Sequence, residues 1–281
     1  LEDDLSSTDR DAIAQGRLDA QGQEAALSPR TRALVWIARG DEPESDELTT
    51  ALAELDLNDP RPVMVLVGGA ANLAEPVKAQ LLRLFEVLAP HLDALGATVV
   101  DGGTAFGVMA TMGQARKGSG SRFPLLGIAP RGAVAIDIRL PRSKDADDRG
   151  ISDLSSMDEK ARLDPNHTHF LLVPGDRWGD ESPWISAAAD RLASGHATLM
   201  LVAAGGEVTQ LDVMHRLRTG GRVLVLAGSG GAADRLASWS REDRTNPGFD
   251  AGEAERALIE VLDLADAEEQ LPRILSKAFE P

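Results

Sequence analysis

The sequence contains no cysteine, which removes disulfides, thiolate metal sites and a thiol nucleophile from consideration. It also lacks any apolar run close to the roughly 20 residues that a helix needs to cross a bilayer. No basic segment followed by an apolar one opens the chain, so a soluble, cytoplasmic protein is the expectation. The first residue is Leu1 rather than methionine, which suggests a trimmed or processed product. Basic charge is scarce: 29 Lys and Arg stand against 45 Asp and Glu, for a net charge of −16. The imbalance sits at the ends. Residues 1–60 carry 15 acidic and 5 basic side chains, residues 239–281 carry 11 and 5, and the stretch between them has 19 of each. Acidic flanks repel phosphate backbones and no Lys/Arg stripe offsets them, so nucleic acid is not an expected partner.

With 281 residues, 43% of them hydrophobic, the chain is long enough to bury the core of one large α/β domain or two small ones. Up to about Leu27 it is polar, acidic and without sustained apolar periodicity, and reads as disordered or as a loosely packed helix. The apolar run Ala33 to Ala38 fits either a strand or a buried helical turn. Leu48, Leu52 and Leu55 share one helical face over Asp46 to Leu55, after which Asp59-Pro60-Arg61-Pro62 interrupts the chain. These features predict an acidic, partly disordered N-terminal extension over 1–60, a domain over 61–238 and a C-terminal helical extension over 239–281. Pairing with another protein, a membrane protein included, or with a second copy of the chain is compatible with such flanks.

Within 61–238, short apolar runs alternate with helical segments. Val63 to Val67, Ala97 to Val100, Leu125 to Ile128, Phe170 to Val173, Thr198 to Val202 and Arg222 to Leu226 are the predicted strands. Most are apolar throughout, as strands covered on both faces are. Strands interleaved with helices imply a Rossmann-like α/β fold, a mainly parallel sheet with helices on both faces. After the first strand, Leu81, Leu84, Phe85, Leu88, Leu92 and Leu95 form a helical stripe, which Pro90 is expected to kink or split. Ala254, Ala257, Leu258, Val261 and Leu262 predict a further amphipathic helix near the end.

Four predicted strands run straight into glycine turns. These are Gly68-Gly69, Gly102-Gly103-Thr104, Gly205-Gly206 with Thr209 close behind, and Gly228-Ser229-Gly230-Gly231. In an open parallel sheet all four gather beyond the carboxyl ends of the strands, where ligands bind. Glycine permits positive φ and close backbone approach, and the following helices present free N–H groups that suit phosphate. Thr104, Thr209 and Ser229 add hydroxyls.

Gly68-Gly69-Ala70 with Asn72, Gly-Ala-Thr-Val-Val-Asp-Gly-Gly-Thr-Ala-Phe-Gly-Val-Met over 96–109, Gly-Ile-Ala-Pro over 127–130, Asn-His-Thr-His-Phe-Leu-Leu-Val over 166–173 and Gly-Ser-Gly-Gly-Ala-Ala-Asp over 228–234 occur in that order. This succession resembles the ligand-sensing SLOG domain of melastatin-type TRP channels and its prokaryotic relatives, called LSDAT, over roughly 61–238. The resemblance implies a Rossmann-like fold and the sensing of nucleotide-derived small molecules of the ADP-ribose class; separately, no cofactor or metal is expected. It also implies that Trp178-Gly179 is the aromatic pair beside an adenine. Two arginines of the channel pattern are absent: Ile185 and Gly231 stand near their places, which removes bidentate phosphate contacts. Arg131 and Arg177 are the available substitutes.

A second resemblance points to catalysis. Ala204-Gly205-Gly206-Glu207-Val208-Thr209-Gln210-Leu211-Asp212 is similar to the Pro-Gly-Gly-x-Gly-Thr-x-x-Glu motif of cytokinin-activating phosphoribohydrolases, whose final glutamate assists cleavage of an N-glycosidic bond. Here the proline, the third glycine and the glutamate have become Ala204, Val208 and Asp212. His167 and His169 flank a threonine and are candidates for a metal site or for a structural imidazole bonded to a turn, the latter favoured because no third ligand is visible. Asp101 and Asp234, beside glycine turns, are placed either to bind ribose hydroxyls or to cap helices. Arg131 to Asp164 reads as a lid or a mobile insertion. Three functions follow: a nucleotide-ligand sensor, a nucleotide N-glycosidase using Asp212, and a scaffold with an unused pocket.

Overall fold

The computed structural model describes residues 26–28, 31–38, 40, 43, 46–69, 73–135, 160–242 and 251–280. Eight strands form one sheet: β1 (Leu34–Ile37), β2 (Val63–Gly68), β3 (Thr98–Asp101), β4 (Leu125–Pro130), β5 (His169–Val173), β6 (Thr198–Ala203), β7 (Arg222–Ala227) and β8 (Ile259–Asp263). Their spatial order is β8-β7-β6-β2-β3-β4-β5-β1, and every pairing is parallel. The helices are α1 (Asp46–Glu54), α2 (Glu75–Ala94), α3 (Gly107–Ser119), α4 (Ser182–Ala193), α5 (Glu207–Arg218), α6 (Gly231–Glu242), α7 (Glu253–Arg256) and α8 (Ala267–Phe279).

The period of two in the central strands divides the core into two layers. In β2, Val63, Val65 and Val67 face α1, α4, α5 and α6, where Leu52, Trp184, Val213 and Leu236 complete one layer. Met64 and Leu66 face α2, α3 and α8, where Leu84, Met112 and Leu271 complete the other. Both faces are covered, which is why the strands read as unbroken apolar runs. All six predicted strands are present, each within a residue or two of its expected ends. The run from Ala33 resolves as a strand, because β1 finds an open edge beside β5.

Two expectations are corrected. The helix predicted across Ala254 to Leu262 is split: α7 ends at Arg256, and Ile259–Asp263 is an edge strand. The unpaired edge of β7 rewards extended backbone there with a ladder of hydrogen bonds that a helical segment forgoes. Pro90 does not divide α2, which runs on to Ala94. His91, in its last turn, bonds the Pro272 carbonyl at 2.8 Å and the Ser276 hydroxyl at 2.9 Å, tying α2 to α8. The sheet thus draws strands from both sides of 61–238. The disorder expected up to Leu27 concerns residues almost wholly outside those described, as does most of the proposed lid, residues 136–159. No described helix is long and apolar enough to cross a membrane.

Candidate functional site

From β2 the chain steps outward through β3, β4 and β5, then returns to place β6 on the other side of β2. The reversal opens a crevice between the carboxyl ends of β2 and β6, the position at which open α/β sheets bind ligands. A cavity of about 970 Å³ lies there. Gly68, Gly69, Gly102, Thr104, Gly205, Gly206, Gly228, Ser229 and Gly230 all line it, with Trp178, Thr209 and Asp212. One set of turns, dispersed over more than 160 positions of sequence, is therefore gathered at one edge. Asn72 falls outside the described residues.

The glycines divide by what stands in front of them. A Cβ on Gly68 would lie 2.0 Å from the Ala203 carbonyl oxygen, so this glycine lets β2 and β6 approach. By contrast, a Cβ on Gly102, Gly206, Gly228 or Gly230 would meet nothing within 4 Å, which leaves these four backbones bare toward the open space. Gly103 does not line the cavity, and its role is corrected from ligand contact to core packing. The channel-like motif misleads here because neighbouring positions of a turn point to opposite sides.

Several polar groups first read as ligand contacts are engaged by the protein. Ser229 accepts from the Ala204 N–H at 2.8 Å and donates to the Leu226 carbonyl at 2.6 Å, joining the β6 and β7 turns. Asp234 accepts from the Gly228 N–H at 2.7 Å. Asp101 is fully buried, accepts from the Gly103 N–H at 2.7 Å and pairs with His167 at 2.8 Å, so it holds the turn instead of facing a ribose. The other ring nitrogen of His167 lies 2.8 Å from Asp164. Burial pulls the imidazole down, but the two carboxylates outweigh it and raise its pKa to about 9. His167 is thus the structural imidazole. His169 bonds Thr168, and burial lowers it to about 4.

The helix termini are not equivalent either. The Ala232 and Ala233 amides of α6 donate to the Gly205 and Ala204 carbonyls, at 2.9 and 3.0 Å. At α5 the N-cap is Gly206, which has no side chain to cap the first turn, so the amides of Glu207 and Val208 are the free donors at the cavity edge.

Two cavity-lining residues, Phe106 and Glu181, were not singled out from the sequence. Phe106 is 49% exposed and lines the cavity, as does Trp178 at 40%, so two aromatic rings flank the opening. Glu181 is buried, lines the cavity and accepts from the Gly179 N–H at 2.7 Å. Burial foremost, with Asp212 adding to it, pushes its carboxyl up to about 7, and burial does the same to Asp212 against a smaller opposing pull from Ser182. Ile185 lines the cavity where the channel pattern has arginine, and Arg131 and Arg177 do not line it. Ala204 adopts φ of 55°, which proline cannot.

The fold and site define a Rossmann-like domain with a ligand-sized cavity at its topological switch point. A protein-family model described as "SLOG in TRPM, prokaryote" matches residues 61–272, and the chain belongs to this family. It is 28% identical over 210 residues to a transient receptor potential cation channel subfamily M member-like 2 of Nematostella vectensis, a match covering 66% of this chain and 13% of the channel. Two solved structures resemble it at a TM-score of 0.47. TM1055, a structural-genomics target, is 19% identical, with 77% of this chain and 99% of that one covered. The molybdenum cofactor binding protein of the phototrophic bacterium Rippkaea orientalis is 11% identical, with 76% and 98% covered.

Proposed function

We propose that this chain is a ligand-sensing module for a nucleotide-derived small molecule of the ADP-ribose class, acting in the cytoplasm through a partner or a second copy. The observation that carries this is the cavity at the β2/β6 switch point, with bare glycine backbone and the uncapped start of α5 at one side and Trp178 and Phe106 at its rim. A phosphate suits the α5 amides, and an aromatic base suits the indole. Gly102→Val tests the site, because φ at Gly102 is not positive and its Cβ points into free space. The expected result is a melting temperature within a few degrees of wild type. The stabilisation by a nucleotide, about 2.7 kcal/mol at 100 times its Kd, should disappear. A panel of adenine dinucleotide derivatives and phosphorylated nucleosides that leaves the wild-type melting temperature unmoved would favour the scaffold.

Asp212 gives the N-glycosidase reading its footing, since Oδ1 of this cavity-lining carboxylate has no hydrogen-bond partner. The left-handed Ala204 and the bulk of Val208 nevertheless depart from the hydrolase turn, and positioning errors of about 1 Å cost roughly 100-fold in rate. Nucleoside monophosphates are therefore expected to stay intact over long incubation. Chromatographic release of free base, lost in Asp212→Asn, would reverse this reading.

A further inference from the structure

This inference rests on the ligand-binding reading and concerns which ligands one end of the cavity selects. Among the described residues, the charged side chains lining the cavity are Glu181, Glu207, Asp212 and Asp234, with no lysine or arginine. Glu207 is exposed at the first turn of α5, and Asp234 is held by the Gly228 amide. Glu181 and Asp212 differ in being buried, at 3% and 6% exposure. Glu181 is anchored to the backbone beside Trp178 through the Gly179 amide. Asp212 Oδ1 makes no hydrogen bond of good geometry, an uncommon state for a buried acceptor, and the Ser182 hydroxyl, itself unpaired, is the one neighbour that favours the charged form of this carboxylate. Burial makes both carboxyls costly to ionise, Asp212 adds to that cost at Glu181, and no lysine or arginine among the described cavity-lining residues relieves it. A ligand group that carries N–H donors would.

We infer that Glu181 and Asp212 form the specificity end of the cavity and accept hydrogen bonds from the exocyclic amine of a nucleobase lying against Trp178, so that the site selects amine-bearing bases over their oxo counterparts. A carboxylate accepts from an amine and repels a carbonyl oxygen in the same place. A buried polar site rejects the analogue that leaves its groups unpaired more strongly than an apolar pocket rejects an altered shape.

Calorimetric titration of the full chain at pH 8, above the value near 7 to which both carboxyls are raised, with AMP and IMP, which differ at the amine, and with CMP and UMP tests this. Wild type should bind the amine-bearing member of each pair about 10-fold or more tightly, the range expected for a hydrogen bond to a charged group. Glu181→Gln and Asp212→Asn, close in shape to the originals, should bring the ratio toward one or invert it. Equal binding of the pairs by wild type overturns the inference while leaving the ligand-binding reading in place. So does a preference that survives both substitutions, or binding of other nucleotides in the panel without binding of AMP or CMP. If no nucleotide of any kind binds, the underlying reading fails and takes this one with it.

Discussion

Replacing His167 with glutamine is expected to cost about 3–5 kcal/mol at pH 7, the range found when one partner of a buried ion pair is removed. His167 lies fully buried between Asp101 and Asp164, stacked on Phe170 with ring centroids 5.4 Å apart. Without the imidazolium, two carboxylates share the interior with no counterion, and the Gly102-Gly103 turn that Asp101 holds loses its brace. The same group makes wild-type stability depend on pH. A histidine raised in the folded state from 6.5 to about 9 contributes stability that is complete below pH 6.5 and lost as pH rises through 9. The shift corresponds to a loss on the order of 3 kcal/mol across that window. Asp212 and Glu181, raised to about 7, act in the same sense at lower pH, whereas His169, lowered to about 4, acts against them on acidification. From pH 7 to 10 these groups leave the trend to His167. Urea unfolding at intervals over that range should show stability falling in wild type and a flatter profile in His167→Gln; parallel profiles would show that the imidazole is not charged in the folded protein.

Gly103→Val is expected to destabilise the fold by about 3–5 kcal/mol, combining overpacking with the left-handed backbone penalty. Gly103 has φ of 67°, and a Cβ there would lie 2.8 Å from the Gly127 Cα and 2.9 Å from the Phe170 ring. The facing glycine is equally confined, since a Cβ on Gly127 would lie 2.5 Å from the Gly103 Cα. The turn after β3 crosses the backbone of β4 at Gly127 beside the Phe170 ring, and no methyl group fits between them. The melting temperature should fall by roughly 10 °C or more. Gly102→Val, one residue away and facing the cavity, should leave it almost unchanged. Equal melting temperatures for the two variants would contradict this division of the turn.

The contrast between these adjacent glycines illustrates what was legible beforehand. Strand-then-glycine punctuation announced four turns, and parallel topology required them to share an edge. Which glycine meets a ligand and which meets a phenylalanine depends on the direction of each peptide plane, to which a one-letter pattern is blind. Glu181 shows the same limit. An acidic residue beside Asp180 in a polar loop looks like ordinary solvated charge, and only the folding of α4 against α5 buries it near Asp212. A lone aromatic before a helix is ordinarily core, yet Phe106 is half exposed at the rim of the cavity.

The run from Ala33 and the segment Ile259–Asp263 show the same limit in the fold. Both are short: the first fits strand or helical turn equally, and the second carries a helical spacing that the structure overrides. An unpaired edge of the sheet was available to each, and the hydrogen bonds along β5 and β7 decided the outcome. The sequence by itself determined the six central strands, the two-sided core and the edge at which glycine turns collect, because apolar period and glycine placement are local properties. Only the tertiary structure decided the edge strands, the burial of Glu181 and Asp212, the engagement of Asp101 by His167 and the partition of the glycines between core and cavity. Each of these depends on contacts between residues far apart in the chain, whose geometry exists only once β2 and β6 lie side by side.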